Sequence, residues 1–412
     1  MHLSTKVNLE KFIGITTTLF VIVVVLDPAD VIFRLKMPLF AFLIGLCIIT
    51  YRNVLKDSVA GLITIYGICL ITSAMGSFRE VNINWEFAIS IYKGFTMAFL
   101  LLWAHKLRIL EKLYLPLVII FFLVITTYIA MNMNPDIETL IHGLTLENSL
   151  GIPLGMSRRT FIGIPIISVF YKTSPLGLFV AGVFLYKLFN NVGSRKSNLF
   201  MVFSSVSILI LGGTRMNILS AIVIVSFAII QRFYKTRHGK EVATILFLIG
   251  IGIIVVITTT LLNDKGEDSL EVKTVLSKAF YRQVDKNPSL LFFGEGAGAT
   301  FNSLGIRGKE AVQSELTYQD MIRWFGIPMT VLIMFIYLYP LLTIFKKRKK
   351  LNYGAILSVA YLLYLAIAGT NPLLITSTGM LALLTIYSYA YNPNYETPPS
   401  LLKSVVQKPP NN

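Results

Sequence analysis

The chain has 412 residues, 55% of them hydrophobic and only 14% charged, with a mean hydropathy of +0.69, where soluble domains carry about 25% charged residues. Its 37 Lys and Arg against 21 Asp and Glu leave a net charge of +16, yet apolar runs recur from end to end. That pattern marks a polytopic membrane protein and excludes a soluble enzyme, a disordered chain, a secreted disulfide scaffold and a nucleic-acid binder.

The N-terminal MHLSTKVNLEKF leads into apolar residues with no small-x-small cleavage site before Asp27-Pro28, so it reads as a retained first span. The apolar runs predict twelve spans, at 12–26, 37–50, 58–75, 85–103, 113–131, 165–186, 198–212, 216–231, 242–262, 319–345, 353–369 and 373–390. The predicted fold is therefore all-α, a single membrane domain over 1–412 with a cytoplasmic tail from 391. Cys47 and Cys69 both fall inside apolar runs, so no structural disulfide is expected. The four histidines offer no zinc-binding spacing.

With the N-terminus placed in the cytoplasm, the inside segments hold 21 Lys and Arg. The short outer loops hold only Arg34, Lys36, Arg79, Arg158, Arg159 and Arg215. This follows the positive-inside rule and puts both termini inside. The +16 is thus mostly topology, set against anionic lipid at the cytoplasmic face. Two outer segments, 132–164 and 263–318, exceed a simple turn, and loops of that length are usually functional.

The informative cations are those on the outer side. Arg215, in LGGTRMN between two short apolar runs, is costly unless it meets water, a headgroup or an anion. It reads either as a phosphate grip or as a snorkelling turn residue. The adjacent Arg158 and Arg159 in GMSRRTFIG call for an anionic ligand or for acidic partners such as Asp136, Glu138 and Glu147. Glu86 and Lys93 share a face of the fourth span, and Lys93, near mid-span, is expected to face the interior. In the longer loop, Val272, Val275, Leu276, Ala279 and Phe280 fall on one helical face. Such a helix lies on the membrane surface or packs as an ordinary surface helix. GEGAGA, from Gly294 to Ala299, lacks a dinucleotide fingerprint and reads as a hinge or a close backbone approach. Glu315, Tyr318, Asp320 and Arg323 gather where that loop enters the tenth span. A carboxylate there acts as a general base, or simply complements the helix dipole.

Three local patterns together carry a resemblance that spans essentially the whole chain. They are GGTR with Arg215, the outer loop ending FFGEGAG and leading into SELTYQDMIRWFGIP, and the late turn GTNPLLITSTGMLAL. In this order the chain resembles the bacterial O-antigen polymerase (Wzy-type) family of the O-antigen ligase and polymerase superfamily. The resemblance implies a GT-C-like membrane fold in the inner membrane. It further implies a metal-independent glycosyltransferase without cofactor. That enzyme would move a growing glycan from undecaprenyl diphosphate onto a new lipid-linked repeat unit at the outer face. The implied partners are undecaprenyl-diphosphate-linked oligosaccharides, membrane lipid and a chain-length regulator. The superfamily's ligases have a His about eleven residues before the Gly that Gly326 resembles. Here Glu315 stands there, and 263–318 contains no His, which favours polymerase over ligase. Catalytic roles then fall to Glu315 and Arg215. Diphosphate or glycan binding falls to Arg158, Arg159, Lys273, Arg282, Tyr318 and Arg323. Lys273 and Arg282 both remain candidates for the family's loop arginine. A lipid-linked oligosaccharide transporter is the rival from another class, but no internal repeat supports it.

Overall fold

A computed structural model describes residues 2–51, 57–79, 82–134, 154–161, 164–234, 269–305, 308–314, 316–347 and 352–392, together with 241 and 252. The described chain is mostly helical. Six of its helices are long and apolar enough to cross a membrane, beginning at Asn8, Val59, Trp85, Ile109, Arg215 and Thr317. Shorter apolar helices occupy Lys36–Tyr51, Ser174–Phe189 and Gly354–Thr370. The ninth predicted span, 242–262, lies outside the described residues save for 252.

In chain order the helices are α1 (His2–Leu26), α2 (Lys36–Tyr51), α3 (Asp57–Arg79), α4 (Trp85–Thr96), α5 (Ala104–Leu107), α6 (Ile109–Lys112) and α7 (Tyr114–Met133). A first antiparallel hairpin follows, β1 (Leu154–Phe161) with β2 (Ile164–Tyr171). Then come α8 (Gly177–Phe189), α9 (Arg195–Leu211), α10 (Arg215–Tyr234), α11 (Ser269–Lys286) and α12 (Leu290–Phe293). A second hairpin, β3 (Phe301–Gly305) with β4 (Gly308–Ala311), precedes α13 (Thr317–Lys346), α14 (Gly354–Thr370) and α15 (Ser377–Tyr391).

The sixth predicted span begins differently from expectation. Residues 164–171 form β2, paired over eight positions with β1, and helix starts only at Ser174. The stretch IPIISVFY is rich in β-branched and aromatic residues, which suit a pleated surface as well as an apolar helix. A short apolar run does not separate the two by periodicity. The fourth span continues beyond α4 as a 3-10 helix over Met97–Trp103 and then α5. Its N-terminus is capped by Asn84, whose side chain accepts the Phe87 N–H at 2.9 Å.

Helix α15 is the axis of the packing, buried along its whole length. Tyrosine hydroxyls tie it and its neighbours together. Tyr387 donates to the Ile336 carbonyl at 2.9 Å, Tyr337 to Leu374 at 2.8 Å, and Tyr361 to Tyr337 at 3.0 Å. Each acceptor is a carbonyl of the chain itself, so these buried hydroxyls are satisfied without water. Cys47 and Cys69 are buried and free.

The turns α1–α2, α3–α4, α9–α10 and α14–α15 meet at one end of the bundle with both hairpins, an end we call the crown. Tyr171 donates to the Leu26 carbonyl and Thr173 to Val25 at 2.9 Å. Ser168 donates to Gly212 at 2.8 Å, and Thr317 to Asn371 at 2.9 Å.

The long segment after residue 268 is clasped onto this crown through its glycines. Glu295 and Gly296 donate their N–H groups to the Arg323 and Trp324 carbonyls at 2.8 and 3.1 Å. Ser77 donates to the Ala297 carbonyl at 2.8 Å, and the Asn84 N–H to Gly298 at 2.9 Å. A Cβ on Gly296, at φ +89, would collide with the Ser77 amide nitrogen. The glycine run is thus a close backbone approach. Its counterpart is Gly326 (φ 74, ψ 166), which breaks α13 where the Phe292 carbonyl presses against it.

Candidate functional site

Arg215 opens α10 directly after the turn Gly212–Thr214. Gly213, at φ +62, packs against the Ser168 side chain, and the Ser168 hydroxyl holds the Gly212 carbonyl. The Thr214 hydroxyl accepts the Asn217 N–H at 3.3 Å, which caps the helix. These contacts aim the first turn of α10 into a cavity of about 280 Å³.

Three cations from separated parts of the chain line that cavity: Lys172 after β2, Arg215 on α10 and Lys273 on α11. All three are half-buried. Thr214, Asn217, Thr370 and Asn371 supply neutral polar groups, and Phe170, Ile367 and Leu373 supply apolar wall. Among the described residues that line it there is no carboxylate. Asn217 is buried, and its Oδ1 takes no hydrogen bond among the described residues. Burial lowers the pKa of the Lys172 ammonium below the ordinary lysine value, because a low-dielectric wall disfavours its charge. A positive, partly desolvated cavity at a helix N-terminus stabilises an anion.

The late turn Thr370–Asn371 joins this cavity because it is fastened on two sides. Asn371 donates its side-chain amide to the Ile367 carbonyl at 3.0 Å, and the Asn371 carbonyl receives the Thr317 hydroxyl. Lys273 is held by α11, whose Ser277 hydroxyl receives the Gln319 amide of α13 at 3.0 Å. GGTR and GTNP, far apart in sequence, therefore face one space.

The other sequence-predicted residues separate. Arg282, about 13 Å further along α11 at about 1.5 Å per residue, lines a different cavity of about 660 Å³ with Gln283, Lys286, Asn302 and Glu310. Of the two loop cations only Lys273 shares the Arg215 cavity. Arg323 does not face either space. It is 1% exposed, and its guanidinium donates to the Ala299 and Val312 carbonyls and pairs with Asp320 at 3.2 Å. Its expected substrate role gives way to a structural one, fastening β3 and β4 to α13. Tyr318 likewise turns toward α14, donating to the Leu365 carbonyl at 2.9 Å. Glu315 lies outside the described residues. Arg158 and Arg159 are placed in β1 as backbone, opposite Ile167 and Ile166.

Two more expectations are decided by packing. Lys93 is exposed on α4, as is Glu86, rather than facing the interior. Along α11, Leu276, Ala279 and Phe280 are buried against Phe301 and Ala311 of the second hairpin. It is a packed surface helix, each large apolar side chain contributing about 1.5–3 kcal/mol by burial. Lys172, absent from the sequence candidates, is the residue the cavity adds. Its one signal was a lysine followed by Pro175 within a supposed apolar span.

Compared with protein-family models, curated proteins and solved structures, the chain matches none.

Proposed function

We propose that the chain is a polysaccharide repeat-unit polymerase of the inner membrane. In this reading it has twelve spans in a GT-C-like arrangement, both termini cytoplasmic, and the crown facing outward. The positive-inside count supports that orientation. The observation that carries the reading is the convergence of Lys172, Arg215 and Lys273 on one cavity, with no carboxylate among the described residues that line it.

The chemistry suits such a site. A hydroxyl of the incoming lipid-linked repeat unit attacks the anomeric carbon of the growing glycan. The new glycosidic bond forms as the bond from that carbon to the diphosphate oxygen breaks, and undecaprenyl diphosphate departs. Charge develops on the departing diphosphate, so pre-positioned cations lower the barrier. Arg215 offers two-pronged recognition of phosphate oxygens, while Lys172 and Lys273 act as point charges. Glu315 takes the hydroxyl proton. Its neighbour Leu316 lines a shallow space with Lys273 and Tyr281, which adjoins the cation cavity through Lys273.

The test is Arg215→Ala in a strain that depends on this chain for long polymer. The expected outcome is single repeats on the acceptor, with normal protein level. Long polymer from that strain would refute the diphosphate clamp, and loss of even the single repeat would point to ligation instead.

A further inference from the structure

Lys93 presents a physical problem. It lies within the apolar helical stretch Trp85–Leu107, about 12 Å below Trp85 at about 1.5 Å per residue. It is exposed, and among the described residues no carboxylate pairs with it. A charge at that depth is costly unless it meets an anion or reaches the interface.

Its surroundings hold two further cations, Lys36 and Lys172, together with two carboxylates. The next residue, Gly94, packs so closely on 375–377 that an added Cβ would lie 3.2 Å from the Ile375 carbonyl oxygen. Ser377 donates to the Pro28 carbonyl at 2.8 Å, and the Lys36 ammonium donates to the same oxygen at 2.8 Å. Lys172 sits between Tyr171 and Thr173, both tied to the last turn of α1, just before Pro28. Lys36 is accordingly within electrostatic reach of both Lys93 and Lys172. Asp27 and Asp30 are also near Lys36. The Asp27 carboxylate is fixed by the N–H groups of Val31, Ile32 and Phe33 at 3.0, 2.8 and 2.7 Å, and Asp30 accepts the Lys36 N–H at 3.0 Å. Lys172 in turn lines the Arg215 cavity.

We propose that Lys93, Lys36 and Lys172 form a lateral path that draws a membrane-borne phosphate or diphosphate headgroup from the lipid into the Arg215 cavity, with Lys93 as its mouth. This rests on the anion-cavity reading above and adds the side from which the lipid enters. Lys93 meets the headgroup at the helix surface, Lys36 sustains the field from its buried position, and Lys172 hands the anion to Arg215. A free anion arriving from water would not need the mouth.

The experiment uses the full chain in phosphatidylcholine nanodiscs, with geranylgeranyl diphosphate and inorganic diphosphate as separate probes. A lysine near a membrane surface contributes about 1 kcal/mol to anion binding. Lys93→Gln should therefore weaken the lipid probe about fivefold while inorganic diphosphate binds unchanged, which also shows the cavity intact. Lys93→Arg should retain lipid binding. Unchanged lipid affinity in Lys93→Gln overturns the path. So does an equal loss of both probes, which would make Lys93 part of the cavity's general field. If the unsubstituted chain bound neither probe, the cavity reading would fall and the path with it. If both bound and only the lipid difference failed to appear, the cavity reading would stand alone.

Discussion

The Ser168 hydroxyl donates to the Gly212 carbonyl at 2.8 Å, so β2 grips the turn that launches Arg215. A Cβ on Gly213 would enter the space of that same serine side chain. Ser168→Ala should cost about 1 kcal/mol, the net worth of one hydrogen bond, and weaken diphosphate binding with it. Gly213→Val should be worse on both counts, because a β-branched residue resists φ +62. Thermal unfolding in detergent and titration with inorganic diphosphate check both.

Arg323 and Asp320 form a buried pair at 3.2 Å, and the guanidinium also serves two backbone carbonyls. Arg323→Ala strands the carboxylate and should cost about 3–5 kcal/mol. The double variant Arg323→Met with Asp320→Leu should recover much of that, since a pair replaced by apolar groups leaves no orphan charge. Denaturation curves of the three proteins decide it. A stable Arg323→Ala protein that had lost only ligand binding would restore the substrate role.

Gly296 threads past Ser77 at φ +89 with no room for a side chain. Gly296→Ala should cost at least about 1–3 kcal/mol in backbone strain and loosen the clasp that holds α11 and the second hairpin on the crown. Limited proteolysis should cut the released segment between 269 and 314 faster than in the unsubstituted protein. Equal cutting rates would show that the clasp is not what holds it.

Burial lowers the pKa of Lys172 from the ordinary lysine value. The charged form binds an anion better, so diphosphate affinity should fall as pH rises through that lowered pKa, and be full below it. Lys172→Arg, which stays charged, should flatten the fall. Titrations from neutral to alkaline pH compare the two proteins, and identical profiles would remove Lys172 from the anion site.

What the sequence determined by itself was what local composition can carry. Apolar runs located α2, α3, α7, α9, α10, α13 and α14 to within a few residues, and the end but not the start of α1, because a helix that hides its own backbone needs only a long apolar stretch. Arg215 stood out because an arginine between two such runs demands a partner. The glycines of GEGAGA announced a tight approach without saying to what. The tertiary structure alone decided the rest. It chose strand for 164–171, where the partner strand supplied the hydrogen bonds. It took Lys273 into the Arg215 cavity and left Arg282 outside, since position along α11 matters only once α11 is docked. It buried Arg323 against carbonyls of Ala299 and Val312, acceptors that no charge pattern displays. And it brought in Lys172, whose meaning depends on β2 ending beside the first turn of α10. The cavity of Lys172, Arg215 and Lys273 is fixed by packing between segments far apart in the chain, whereas the β1–β2 hairpin and the Arg323 contacts join nearer segments.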